Sequence, residues 1–381
     1  MSLLTKKYQN ILTIAGAALL AVTLSACTGT GTGFSGAAGQ PSETEAANPT
    51  EEAAPVNVDT TPTPIPPATG HIIFSSNRNG QDKETDLYMA SPDGLEVIRL
   101  TTNALVDEGS TPRLSPDGSK VAFSATVNNN TDIYILNIAS GITTRITDSQ
   151  ERDASPSWSP NGQQIAFESF RDGNLEIYVV NADGSNPIRL TNDPAGDSNP
   201  VWSPVANEIV FSSNRFGNSD LFLISINGVI STLTTNPAPD NTPAWSPDGS
   251  IIAFQSFTGE YSDICLIGRD GLNQVCISPN SAIYSAPVWA QDGQHIAVTS
   301  FLSGTYGIHI FSIYDGNVIR LTQDGIEPRG VPAWSPDGMR LVFQAFSDGD
   351  MEIYHAVIPT NEFTRLTTIN GYDGEPIWTN Q

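Results

Sequence analysis

From residue 70 onward the sequence alternates short apolar runs with polar breaks rich in Gly, Pro, Asn and Asp. No run keeps a helical spacing of apolar positions. One apolar run recurs seven times, as IIF at 72, VAF at 121, IAF at 165, IVF at 209, IAF at 252, IAV at 296 and LVF at 341. A second also recurs seven times: DLYM at 86, DIYI at 132, EIYV at 176, DLFL at 220, DICL at 263, GIHI at 307 and EIYH at 352. Runs of β-branched and aromatic residues bounded by turn formers predict strands. The six tryptophans, at 158, 202, 245, 289, 334 and 378, are spaced 44, 43, 44, 45 and 44, and Leu114 stands 44 before the first.

Each period parses into four strands. In the unit 200–241, Pro200 to Trp202 forms strand a, 209–212 strand b, 220–224 strand c and 232–234 strand d. A period of 40–45 residues with four strands is the signature of a propeller blade. The recurring Ser-Pro-Asp-Gly suits a type I turn, because Pro sets φ at the second position and Gly accepts the fourth. Asp-Gly pairs such as Asp183-Gly184 and Asp270-Gly271 suit tight hairpins that need positive φ. Each Trp carries enough apolar area to wedge neighbouring blades together. The chain enters at a strand b (His71 to Phe74) and leaves after a strand a (Pro376 to Trp378). The expected fold is all-β: a seven-bladed β-propeller of four-stranded antiparallel blades, closed by the C-terminal strand, which removes the free sheet edges.

The unit P-x-W-S-P-D-G, I-A-F, D-G, I-Y, R-L-T resembles the TolB-type, WD-repeat-like propeller family over residues 70–381. The resemblance implies the propeller fold and protein–protein contacts in the bacterial cell envelope. Relatives also serve as propellers of oligopeptidases and of some polysaccharide lyases. The family's name-giving member carries an α/β domain ahead of its propeller. Here a tether stands in that place, so that member's role in its envelope complex is not expected to transfer.

Ahead of the repeats, Lys6 and Lys7 precede a 14-residue apolar run, Ile11 to Leu24, which is too short to span a bilayer. A charged start, a short apolar stretch and small residues read as a secretory signal over 1–26. The segment ends Leu24-Ser25-Ala26-Cys27, which resembles the bacterial lipobox and implies lipidation of Cys27. Residues 27–69 then form a Thr/Pro-rich tether with almost no large apolar side chains, and no fold is expected there. The expected location is outside the cytoplasm, periplasmic or at the cell surface, with the lipid as the only membrane contact.

Charge narrows the partners. The 381 residues carry 17 Lys plus Arg against 41 Asp plus Glu, a net charge of -24. Nucleic acid is excluded as a ligand, because phosphate backbones are bound by basic clusters. No G-x-S-x-G elbow, H-E-x-x-H or zinc-type Cys/His spacing occurs, so a non-enzymatic protein with no cofactor and no metal is expected. His309 falls in a strand c slot that Tyr178 fills elsewhere, which points to packing.

Strand alternation places the a–b and c–d turns on one face and the b–c and d–a loops on the other. On the second face an Asp stands five positions before the anchor Trp in several copies: Asp153, Asp197, Asp240 and Asp373. Arg78, Arg171 and Arg215 in the b–c loops are expected to pair with such acids; the alternative is an acidic channel rim with a steering role. Copies five and six lose the Arg and gain Phe257, Tyr261, Phe301 and Tyr306. Tyr284 and Arg329 take the places usual for Asp. These six residues are the candidate ligand-binding crescent, since Tyr and Arg are enriched in binding hot spots. The competing expectation is loop-core packing. Cys265 and Cys276 flank the Asp270-Gly271 turn symmetrically, which makes them cross-strand partners and candidates for a disulfide. The functional expectation is a monomeric, non-catalytic module binding an envelope protein, peptide or glycan. A lyase-like carbohydrate-active enzyme and an architectural or adhesion domain are the alternatives.

Overall fold

In a computed structural model, residues 65–78, 85–102, 106, 111–278, 282–321 and 323–380 are described. The signal segment, Cys27 and nearly all of the tether lie outside them. The described strands form seven antiparallel sheets, each a blade of a β-propeller. Blade 1 takes strand a from Asp373–Trp378 and strands b to d from Ile72–Ser76, Asp86–Ala90 and Val97–Arg99. Strand b of blades 2 to 7 is Lys120–Val127, Gln164–Ser169, Glu208–Ser213, Ile251–Thr258, His295–Leu302 and Arg340–Ser347. The ring closes by antiparallel pairing of Ile72 with Trp378 and Ile73 with Ile377. Closure thus leaves no unpaired edge at the chain's two ends.

Apolar clusters lie between neighbouring blades. One joins Val210, Leu221 and Leu223 of blade 4 to Trp245, Ile252 and Phe254 of blade 5. Five anchor tryptophans are buried and Trp334 is half-buried, and five of the six donate Nε1–H to a backbone carbonyl. Trp245 reaches Val201 O at 3.0 Å and Trp289 reaches Ala244 O at 3.0 Å, each in the preceding blade. The indole therefore fills the gap and satisfies its one polar atom at once. Packing begins two residues before position 70: Ala68 lies against the blade 1 and 7 cluster, and Thr69 O accepts from Trp378 Nε1 at 2.8 Å. The Ser-Pro-Asp-Gly turns close as expected, with Gly118 N bonded to Ser115 O at 2.8 Å and Gly249 N to Ser246 O at 2.9 Å.

The inner strands differ from the expected short Pro-x-Trp segment. Strand a of blade 4 runs over Asp197–Trp202 and its register slips between Ser198 and Val201. Matching slips occur in blades 3 and 5. The residue just before the Pro takes positive φ in each: Ser155 (57°), Asn199 (53°) and Thr242 (51°). One extra residue on the inner strand bends it and makes a β-bulge beside the channel. In blade 6 this strand is split into Ile283–Tyr284 and Val288–Trp289, both paired with the same strand b.

Candidate functional site

The acidic positions of the upper loops are structural. Asp153, Asp197, Asp240 and Asp373 are all 0% exposed, so they form no open rim and cannot steer a partner by contact. Arg171 Nη2 lies 2.8 Å from Asp153 Oδ2, Arg78 Nη2 2.8 Å from Asp373 Oδ2 and Arg215 Nη2 2.9 Å from Asp197 Oδ1. Each guanidinium also covers the aromatic pair of its blade, as Arg215 does at 5.5 Å from Phe211 and 4.4 Å from Phe222. Burial raises the carboxyl pKa of Asp197 and Asp373 although the arginines oppose it. Asp240 has no arginine; Asn236 Nδ2 donates to it at 2.7 Å, and burial raises its pKa as well.

Blade 5 has lost this staple, and blade 6 has replaced it. Tyr284, expected on the surface, is only 2% exposed. Its ring packs edge-on against His309 and Phe311, its N–H donates to Ser262 Oγ at 2.9 Å and its carbonyl accepts from Gln255 Nε2 at 2.5 Å. Burial, and secondarily the Asp263 carboxylate, push its phenol up to about 12. Tyr284 is therefore loop core and not part of a binding surface. The reason is positional: it occupies a slot whose Asp equivalents are buried in every other blade that has one. Side chains alternate along a strand, so the neighbour Ile283 faces out and is 47% exposed. Ile283 went unnoticed in the sequence, where the alternation next to the buried Asp slot was the available signal.

Of the other crescent positions, Phe301, Tyr306 and Arg329 come together, and no ring contact joins Phe257 or Tyr261 to them among the described residues. Ile283 is the cross-strand partner of Phe301, and Phe301 is the partner of Tyr306. The Phe301 and Tyr306 ring centroids are 4.6 Å apart, and the Arg329 guanidinium lies 3.2 Å from the Tyr306 centroid. Glu327 holds Arg329 at 2.6 Å, which orients the guanidinium over the ring. Tyr261 belongs to the adjoining blade, where Ser262 N donates to Ala282 O at 3.0 Å. Tyr261 is 44% exposed and Phe301 36%, while Tyr306, Arg329 and Phe257 are half-buried. Phe257 is tied at its N–H to Pro239 O at 2.9 Å. The outcome is a short apolar and aromatic patch carrying one oriented cation.

Cys265 and Cys276 face each other across strands c and d and are joined as a disulfide. They occupy the pair of positions held by Tyr178 and Arg189 in blade 3 and by Tyr354 and Arg365 in blade 7. The histidines are dispersed. His309 Nδ1 bonds Ser300 Oγ at 2.7 Å, and burial lowers its pKa to about 4. His355 bonds Pro92 O at 3.0 Å, and burial lowers its pKa too. His295 pairs with Asp292 at 2.6 Å on the surface. No group of three or more His, Cys, Asp or Glu among the described residues is placed to hold a metal ion.

Seven blades, six of them anchored by a tryptophan and three stapled by a buried Asp–Arg pair, define a β-propeller whose distinguishing surface is the patch on blades 5 to 7. A family model described as the TolB beta propeller domain matches residues 107–199 and 258–381, more than half of the chain, and the chain belongs to that family. The Tol-Pal system protein TolB of Francisella tularensis is 37% identical over 71 residues, which are 18% of this chain and 16% of that protein. The chain thus matches about a sixth of the length of that relative. In solved structures, TolB from Acinetobacter baumannii superposes with a TM-score of 0.53 at 20% identity, covering 81% of this chain and 66% of that one. The oligogalacturonate lyase from Vibrio parahaemolyticus gives 0.58 at 14% identity, over 78% and 86%. At these identities the structural likeness concerns the fold alone.

Proposed function

We propose that this protein is a non-catalytic binding module, exported and held to the outer side of a bacterial membrane by lipid on Cys27. It recognises a protein, peptide or glycan of the cell envelope. The observation that carries this reading is the contiguous patch of Ile283, Phe301 and Tyr306 with Arg329 stacked on Tyr306, flanked by the exposed Tyr261 of the adjoining blade. A single exposed aromatic residue is ordinary, whereas a joined patch marks an interaction site. Aromatic rings and an oriented guanidinium give a large, stiff contact area suited to a peptide segment or a sugar ring. Family membership and a relative named as a Tol-Pal system protein support an envelope partner. The net charge of -24 favours a neutral or cationic one.

The experiment is crosslinking and pull-down from native membranes with the full chain and with the double variant Phe301→Ala, Tyr306→Ala. Loss of the captured species with an unchanged melting temperature is expected. Capture retained by the double variant refutes the patch as the site. A melting temperature lowered in proportion to capture would make these rings loop core, as Tyr284 is.

A further inference from the structure

A second chemical feature lies in the central channel, beside the a–b turns and away from the aromatic patch. The residue just before the blade anchor is Ser157, Val201, Ala244, Val288, Ala333 or Ile377 in six blades, and Arg113 in blade 2. The backbone of Arg113 does the ordinary work of the slot, since its carbonyl accepts from Trp158 Nε1 at 2.9 Å. Its side chain has no such duty. Every other arginine among the described residues bonds a carboxylate or a hydroxyl. Arg113 alone has no ion pair and no side-chain hydrogen bond among the described residues.

Arg113 is exposed, and the space it faces is the channel. It lines a cavity of about 580 Å³ together with Ser155, Asn199, Thr242, Trp202 and Trp245. That volume falls in the range of small-ligand sites. Ser155, Asn199 and Thr242 fill the same slot in successive blades. Their positive-φ bulges set two hydroxyls and an amide around one level of the wall. Non-glycine residues at positive φ carry strain that persists only where the surroundings impose it. The protein around the channel desolvates Arg113 and lowers its pKa from the ordinary value, yet an arginine stays cationic at neutral pH. With no counter-ion among the described residues, the guanidinium is available to pair with a bound anion. The planar fork of a guanidinium matches a carboxylate with two parallel N–H bonds.

We infer that this channel cavity binds a carboxylate group, with Arg113 as its anchor, Ser155, Asn199 and Thr242 as hydrogen-bonding wall and the two indoles as apolar wall. The net negative charge of the chain opposes anions at long range, but salt screens that field beyond about 8 Å at physiological ionic strength. The contact to Arg113 is direct and is not screened in the same way. A peptide C terminus and an acidic sugar share the required chemistry, and the site differs from the patch on blades 5 to 7, so the two readings stand or fall separately.

The test measures binding to the full chain by calorimetry and ligand-observed NMR. The probes are N-acetyl-trialanine as free acid and as C-terminal amide, and glucuronate against glucose. One acid should bind at least about tenfold tighter than its neutral counterpart, since a charge-assisted bidentate pair is at stake. Whichever acid does so identifies the source. Arg113→Leu should abolish the preference with an unchanged melting temperature, because aliphatic residues fill this slot in other blades. Arg113→Lys should keep part of it. Equal binding of acid and neutral probe, no binding of either acid at millimolar concentration, or a preference that survives in Arg113→Leu would each overturn the inference. Arg113→Gln, which keeps the polarity but not the charge, replaces Arg113→Leu if the latter does not fold.

Discussion

Asp220 opens strand c of blade 4, is 1% exposed and lacks the arginine that its equivalents in blades 1, 2, 3 and 7 have. Glu176 of blade 3 pairs with Arg189 at 2.7 Å, Asp132 of blade 2 with Arg145 at 2.5 Å, and Asp86 and Glu352 with Arg99 and Arg365. In blade 4 the arginine position is Thr232, the cross-strand partner of Phe222 as Arg189 is of Tyr178. Burial, with the nearby Asp240 carboxylate adding to it, raises Asp220 from 3.8 to about 6. A raised carboxyl pKa means that the folded state binds the proton more tightly than the unfolded chain does. Folding is thus unpenalised below pH 3.8, loses stability as the pH rises, and carries the full cost once the pH has passed about 6. A shift of about two units at 1.36 kcal/mol each sets a ceiling of about 3 kcal/mol.

Thr232→Arg restores the missing cation on an exposed outer strand. The equivalent arginine side chains are 26% to 45% exposed, so solvent screening reduces the gain to about 1–2 kcal/mol at pH 7.5. For a folded part of about 310 residues that is a rise of about 1.5–3 °C in melting temperature. Asp220→Asn, which removes the charge, should stabilise by a similar amount. At pH 4, where folded Asp220 is protonated, both gains should fall below about 1 kcal/mol. Differential scanning calorimetry of wild type and both variants at pH 4 and pH 7.5 decides the matter. Equal shifts at the two pH values, or no stabilisation by Asp220→Asn at pH 7.5, would refute the assignment of the cost to Asp220.

Two further expectations bear on closure and anchoring. Truncation before Pro376 removes the buried Trp378 and exposes strand b of blade 1. It should cost at least about 3–5 kcal/mol and promote aggregation, read by chemical denaturation and light scattering; wild-type stability in the truncated chain would refute the closure argument. Cys27→Ser should release the protein from the membrane fraction into a soluble one on fractionation of the producing cells, and unchanged membrane retention would defeat lipid anchoring.

The number of blades, their strands and the closing strand were legible because each rests on local chemistry repeated seven times. The IIF-type and DLYM-type runs, the Ser-Pro-Asp-Gly turns and the 44-residue spacing of tryptophan demand no knowledge of distant contacts. Cys265 and Cys276 were legible as cross-strand partners, although the turn between them closes around Arg269–Gly271, with Gly268 bonded to Leu272, and not as a two-residue turn. What the repeat left open was the environment of each departure from it. Tyr284 turned inward because the slot it inherited is buried, and Ile283 turned outward because side chains alternate along a strand. Neither the exposure of Tyr261 and Phe301 nor the stacking of Arg329 on Tyr306 follows from spacing, because each depends on how neighbouring blades meet. Asp220 and Arg113 make the same point in opposite signs. Each is one charged residue in a familiar slot, and only the tertiary structure reveals that the partner is missing. The repeat places each counter-ion on another strand of the blade, but whether a slot that lacks one is buried is set by how strands and blades pack.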